Sequence, residues 1–202
     1  MKYLDFVNIF KDFSSITTQD IKNAFEGVNY AQLTDWRKKR LLMHAKRGIF
    51  VLPNATFDSH ILANELNYSY ISLEYALSYY QIIPDIAQTI TSISKNRNEK
   101  IQNEFGSFVY QKITKDLFVG YSLVASEKEN RNFRLASPEK ALFDLVYLRQ
   151  DLQNKNDFDS LRLNLPRGFR IAEIKKFAKL VRANRIKKRL NSLIEYLHAS
   201  SK

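Results

Sequence analysis

The sequence predicts an α+β fold in two domains, and three observations carry that prediction. Three helical patterns and a glycine-centred hairpin fill roughly the first fifty residues. Helices and then runs rich in β-branched and aromatic residues occupy the middle of the chain. The last part is again helical and strongly basic. The 202 residues suffice for one large domain or two small ones, and an apolar share of 45% with 14 Phe and 11 Tyr supplies side chains for a core. Five Gly and four Pro argue against low complexity.

Tyr3, Phe6, Val7, Phe10 and Phe13 recur at helical spacing and predict a first helix over residues 3–13. In "SSITTQDIKNAFEG", Thr18 can cap a second helix with Ile21, Ala24 and Phe25 turned inward, and Gly27 suits its exit. Asn29 can cap a third, from Tyr30 to about Leu41, with Leu33, Trp36 or Arg37, and Leu41 along its inner stripe. "LLMHA", "KRG" and "IFVLP" then read as strand, turn and strand, Gly48 supplying the permissive backbone of a tight hairpin. Three short helices followed by a hairpin make a winged helix-turn-helix. This places the first domain at residues 1–54, with a boundary at Pro53–Asn54.

The second domain, residues 55–202, is expected to be mixed α/β to about 150 and helical and basic from about 157. It opens on a helix in "FDSHILANELN". Another follows in "SYISLEYALSYYQIIP", where Ser72 stands as cap and Leu73, Ala76, Leu77 and Tyr80 share a face. "DIAQTITSIS", "GSFVYQKI" and "LFVGYSLVAS" read as strands. The sharpest boundary lies in "NFRLASPEKALFDLVYLRQDL". There a strand over Phe133–Ala136 meets Ser137 as N-cap, Pro138 at the first helical position and Glu139 in the positively polarised first turn. Ala141, Leu142, Leu145, Val146 and Leu148 form the apolar face of that helix. One helical turn near Phe158–Leu161 interrupts a polar connection. Helical patterning resumes over Ile174, Phe177, Ala178 and Val181, then over Ile186, Leu190, Leu193 and Leu197.

A formal net charge of +11 favours polyanionic partners, and its distribution is uneven. Residues 56–94 hold no Lys or Arg. Six cations and no acid fall between Arg37 and Arg47, and twelve Lys and Arg face two acids from Arg162 onward. In a helix-turn-helix the third helix enters the major groove by its N-terminal half. That half offers Tyr30, Gln32, Thr34, Arg37, Lys38 and Lys39, while Lys46 and Arg47 ride on the hairpin tip. Gln can pair with adenine, Arg or Lys with guanine, and the remaining cations suit phosphates. Lys175, Lys176, Lys179, Arg182, Arg185, Lys187, Lys188 and Arg189 form a second basic region, either a further surface for nucleic acid or an acidic partner, or the solvated face of a docked helix. Trp36 reads as packing rather than as a base-stacking platform.

No cysteine is present, which excludes disulfides and thiolate chemistry and fits a reducing cytoplasm, the expected location. His44, His60 and His198 stand apart, so no metal ligand set and no cofactor are expected. The N-terminal pattern carries Asp5 and Asp12 and is not that of a signal peptide. No run of eighteen apolar residues exists, so no membrane span is expected. Ser137 with Lys140, or Glu139 and Lys140 with Asp144, could be read as catalytic groups of a nucleic-acid-processing enzyme. The helix-start chemistry of Ser137, Pro138 and Glu139 accounts for them without catalysis. No phosphate-binding or nucleophile-elbow motif occurs, and no catalytic residue is expected.

"YAQLTDWRKKRLLMHAKRGIFVLP", "YISLEYALSYYQIIPD" and "LASPEKALFDLVYL", in this order and spacing, resemble the AbiEi-type antitoxins of abortive-infection, type IV toxin–antitoxin systems. The second and third motifs are the specific ones, and the resemblance covers roughly residues 5–150. It implies a bacterial transcriptional autorepressor that binds repeats in its own promoter through an N-terminal winged helix. It also implies a C-terminal domain counteracting a co-encoded nucleotidyltransferase toxin. The DNA-reading role then falls on Tyr30–Lys38, with the wing at Lys46–Arg47. The alternative is a protein-interaction module that neutralises a toxin by direct contact, its DNA binding incidental.

Overall fold

The computed structural model describes residues 1–53 and 57–200, so Asn54, and with it the expected domain boundary, lies outside the described residues. The protein is α+β, with nine α-helices and two β-sheets among the described residues. None of these helices is long and apolar enough to cross a membrane. The chain forms two compact units. The first takes in Met1–Tyr68, Gln102–Gly106 and Val124–Phe133. The second takes in Ser69–Ile101, Ser107–Leu123 and the chain from Arg134 onward.

In the first unit, α1 (Tyr3–Phe10) leads to a two-residue strand, β1 (Ile16–Thr17), and then to α2 (Thr18–Ala24) and α3 (Tyr30–Lys38). The hairpin β2 (Met43–Lys46) and β3 (Ile49–Val51) follows, then α4 (Ser59–Leu66). The cap of α2 is Thr17 rather than Thr18. The Thr17 hydroxyl oxygen accepts from the Asp20 amide at 3.1 Å, and the Asp20 carboxylate accepts from the Thr17 amide at 2.7 Å. Only this frame lets an acid three residues on close the box. Ala24, expected inside, is exposed. Asn29 caps α3 as expected, its side chain accepting from the Gln32 amide at 3.1 Å. The helix stops at Lys38 instead of reaching Leu41, because Arg40 turns into the left-handed region at φ 57°.

The expected hairpin is joined by β1, which the sequence pattern does not announce, to make a sheet of order β1-β3-β2 with both pairings antiparallel. Ile49, Phe50 and Val51 of the central strand are all buried. Gly48 (φ 78°) closes the turn, and its carbonyl accepts from the Thr18 amide at 2.9 Å and from the Thr18 hydroxyl at 3.2 Å. Phe6, Phe10, Ile16, Ile21, Leu33, Trp36, Leu42, Phe50 and Leu52 form the core. Trp36 packs edge-on against Tyr3 and Phe6 with centroids 5.1 Å apart.

Asp58 caps α4 and is buried. Burial alone would raise its pKa. Hydrogen bonds from the His60 ring and amide and from the Ser126 hydroxyl outweigh burial and hold the carboxyl well below the usual carboxylate range. With the folded pKa below the unfolded value of about 3.9, the charged group stabilises the fold above about pH 4, and that contribution is lost as pH falls further. Denaturant titrations across pH should show Asp58→Asn less stable than the parent near neutrality, with the gap closing in acid. A gap constant across pH would locate the stabilisation elsewhere.

The second unit is organised on a mixed six-stranded sheet of order β6-β7-β5-β4-β9-β8. Its strands are β4 (Ser69–Ile71), β5 (Ile90–Ser94), β6 (Glu99–Asn103), β7 (Gly106–Lys112), β8 (Tyr121–Ala125) and β9 (Asn132–Ala136). Its helices are α5 (Leu73–Tyr79), α6 (Pro138–Leu148), α7 (Lys155–Asp159), α8 (Ile171–Lys179) and α9 (Asn184–Ser200). Strand β4 is central and fully buried, antiparallel to β5 and parallel to β9. The Ser137 side chain accepts from the Lys140 amide at 3.2 Å, and Pro138 opens α6.

Two expectations change here. Ser72 precedes α5 but makes no side-chain cap; its hydroxyl donates to Asp144 Oδ2 at 2.8 Å instead. And the burial of α6 extends beyond the expected apolar face to Glu139, Lys140, Phe143 and Asp144, as α5, α8 and α9 pack around it.

Candidate nucleic-acid interface

The inner face of α3 is fixed by Leu33 and Trp36, both buried, which leaves Tyr30, Thr34, Arg37, Lys38 and Lys39 exposed. The Thr34 hydroxyl donates to the Tyr30 carbonyl one turn back at 2.9 Å. Lys39 lies 3.1 Å from Asp35. An exposed pair of this spacing is worth about 0.3–0.5 kcal/mol, too little to withhold Lys39 from a polyanion. Gln32 is different. It is half-buried, and its amide donates to the Met1 carbonyl at 2.8 Å, so the base-pairing role expected of it requires breaking that bond. On the hairpin, Arg47 is exposed, while Lys46 is half-buried and its ammonium donates to the Leu66 carbonyl at 2.9 Å.

A cleft of about 980 Å³ runs along the exposed side of α3 and across β2, bordered by Thr34, Arg37, Lys38, Arg40, His44 and Glu104 among others. Arg40 and His44 had not been placed in the site from the sequence. Arg40 belongs to the same basic run, and the helix break at its positive φ keeps it beside the cleft. His44 alternates outward on β2. Partial burial, then the Arg37 charge, lowers its pKa, which favours the neutral ring that can both donate and accept. Glu104 comes from a distant segment with no local signal.

The second basic region is divided between two helices by the break at residues 180–183. Lys175, Lys176 and Lys179 of α8 are exposed, with Lys176 2.9 Å from Glu173. Arg182 is exposed 3.7 Å from Asp116, and Arg185, Lys187 and Lys188 are exposed on α9. Arg189, expected on the same surface, is buried at 6% exposure and donates to the Tyr147 carbonyl at 2.6 Å.

The acids of the enzymatic alternative are also inside. Glu139 accepts from the Arg170 amide at 3.0 Å, and Asp144 is fully buried. Asp144 pairs with Lys140 and accepts from the hydroxyls of Tyr70 at 2.9 Å and Ser72 at 2.8 Å. The Lys140 ammonium lies 4.9–5.5 Å from the ring centroids of Tyr70, Phe143 and Phe177. Burial pushes Lys140 down and Asp144 up, and each charge opposes that shift in the other. Gly120 (φ 81°) passes so close that an added Cβ would stand 2.7 Å from the Phe177 ring and 3.0 Å from the Lys140 stem.

Neither protein-family models nor curated protein sequences yield a match to this chain.

Proposed function

We propose that the chain is a DNA-binding transcriptional autorepressor and the antitoxin of a type IV toxin–antitoxin system. In this reading the first unit is a winged helix-turn-helix, α3 its reading helix and the β2–β3 hairpin its wing. The observation that carries the reading is the exposed cationic edge of α3. Arg37, Lys38 and Arg40 border one open cleft while Leu33 and Trp36 hold the opposite face in the core. That division suits a helix that must enter a groove without being pulled from its domain. Tyr30 and Thr34 extend the exposed edge toward the N-terminal end of α3, and Arg47 offers a phosphate contact from the hairpin.

The motifs resembling AbiEi-type antitoxins in the second unit fall on β4–α5 and on β9–α6, which are framework rather than surface. Counteraction of a co-encoded nucleotidyltransferase toxin is therefore assigned to that unit as a whole. A cytoplasmic location follows from this role.

Anisotropy titrations on the protein's own promoter test the proposal. With about four phosphate contacts per protomer, log K should fall against log salt with a slope near −4, and a scrambled duplex should bind far more weakly. Equal affinity for both duplexes would sink the autorepressor reading.

A further inference from the structure

We propose that the cleft between α9 and the α6–α7 connection is a binding site for a terminal phosphoryl group, held by Arg185, Lys188 and Arg189. The site lies within the second unit and does not depend on what α3 contacts.

Helical spacing builds it. Arg185, Lys188, Arg189 and Ser192 stand at i, i+3, i+4 and i+7 of α9, one stripe beside the apolar stripe of Ile186, Leu190, Leu193 and Leu197. Gln153, from the connection after α6, borders the same cleft, whose volume is about 150 Å³. Three cations thus border one small cleft with room for a tetrahedral anion.

Arg189 makes this more than a solvated charge run. Its side chain is buried, Nη2 donates to the Tyr147 carbonyl, and Nε has no hydrogen-bond partner among the described residues. A buried guanidinium with an unanswered N–H is costly, and an anion in the cleft that Arg189 borders supplies a compensating charge. Burial, then the neighbouring Arg185, already pushes the Arg189 pKa down, the sign of a cation held against its preference. Asp151 acts on Arg189 in the opposite sense, but that carboxylate is engaged by Arg149.

A dianion answers three converging cations better than a carboxylate does. A terminal phosphate has a single substituent to leave by the cleft mouth, whereas the chain of a phosphodiester must leave at both ends. Inorganic phosphate and the end group of a phosphorylated small molecule share this chemistry.

Calorimetric titration of the full chain distinguishes them, using inorganic phosphate, a nucleoside 5′-monophosphate, and duplex DNA with hydroxyl ends. Arg185→Gln with Lys188→Gln is the test variant, since both side chains are exposed and the fold does not rest on them. The expected result is saturable one-to-one binding of a phosphate-bearing probe, weakened at least about tenfold in the variant, with duplex affinity unchanged. Tighter binding of the monophosphate than of phosphate identifies a nucleotide-like source, and equal binding identifies the free anion. Non-saturating heats, or equal binding by parent and variant, overturn the site. Loss of duplex affinity in the variant without saturable phosphate binding makes the patch a polynucleotide contact and overturns it as well.

Discussion

Replacing Arg37 and Lys38 together by alanine is expected to weaken promoter binding about a hundredfold at moderate salt. Each side chain is exposed on the cleft edge of α3 and can contribute one charge-assisted contact. One such contact is worth about 1–3 kcal/mol, and a factor of ten corresponds to about 1.4 kcal/mol. The salt slope should flatten by about 0.9 for each of the two that meets a phosphate, and stay unchanged for one that meets only a base. The two measurements together therefore separate groove reading from backbone contact. Stability should move by no more than about 0.5 kcal/mol, because the anchoring residues Leu33 and Trp36 are untouched. Parental affinity in the double variant would remove α3 from the interface.

The largest stability effect is expected inside the second unit. Lys140→Met or Asp144→Ala each leaves one charge buried without its partner, and the loss should be about 3–5 kcal/mol. The exposed Asp35–Lys39 pair, at similar spacing along its helix, contributes roughly a tenth of that. Combining Lys140→Met with Asp144→Leu removes both charges and should recover most of the loss, since apolar replacements of a buried pair are often neutral. Urea denaturation of the full chain reads all three variants. Single-variant losses below about 1 kcal/mol would show that the remaining partner sheds its charge or takes up water instead of staying charged and dry.

The parts of the fold that were legible in the sequence have local causes. Asn29, Ser137 with Pro138, and Gly48 each act through atoms a few residues away, so their roles follow from spacing. Strand β1 is two residues long and has no period to detect. Strand β6, "EKIQN", is polar and exists through pairing with β7. The exposed residues of the candidate interface were legible because α3 has one apolar edge and one charged edge. Gln32, Lys46 and Arg189 were not, because their acceptors are carbonyls of Met1, Leu66 and Tyr147, 31, 20 and 42 residues away. Charge in a sequence implies solvent by default, and only packing reveals when a backbone oxygen has taken its place.

Helix α6 has one further property. A helix at a surface is turned the right way by the contrast between its apolar and solvated faces, but α6 is enclosed from Glu139 to Val146 and has no solvated face there. Rotation by one residue, about 100°, would carry the Asp144 carboxylate away from the hydroxyls of Tyr70 and Ser72. The Lys140–Asp144 pair and the two hydroxyls facing it thus add a polar constraint on the azimuth of α6, made by two charged groups that never meet solvent.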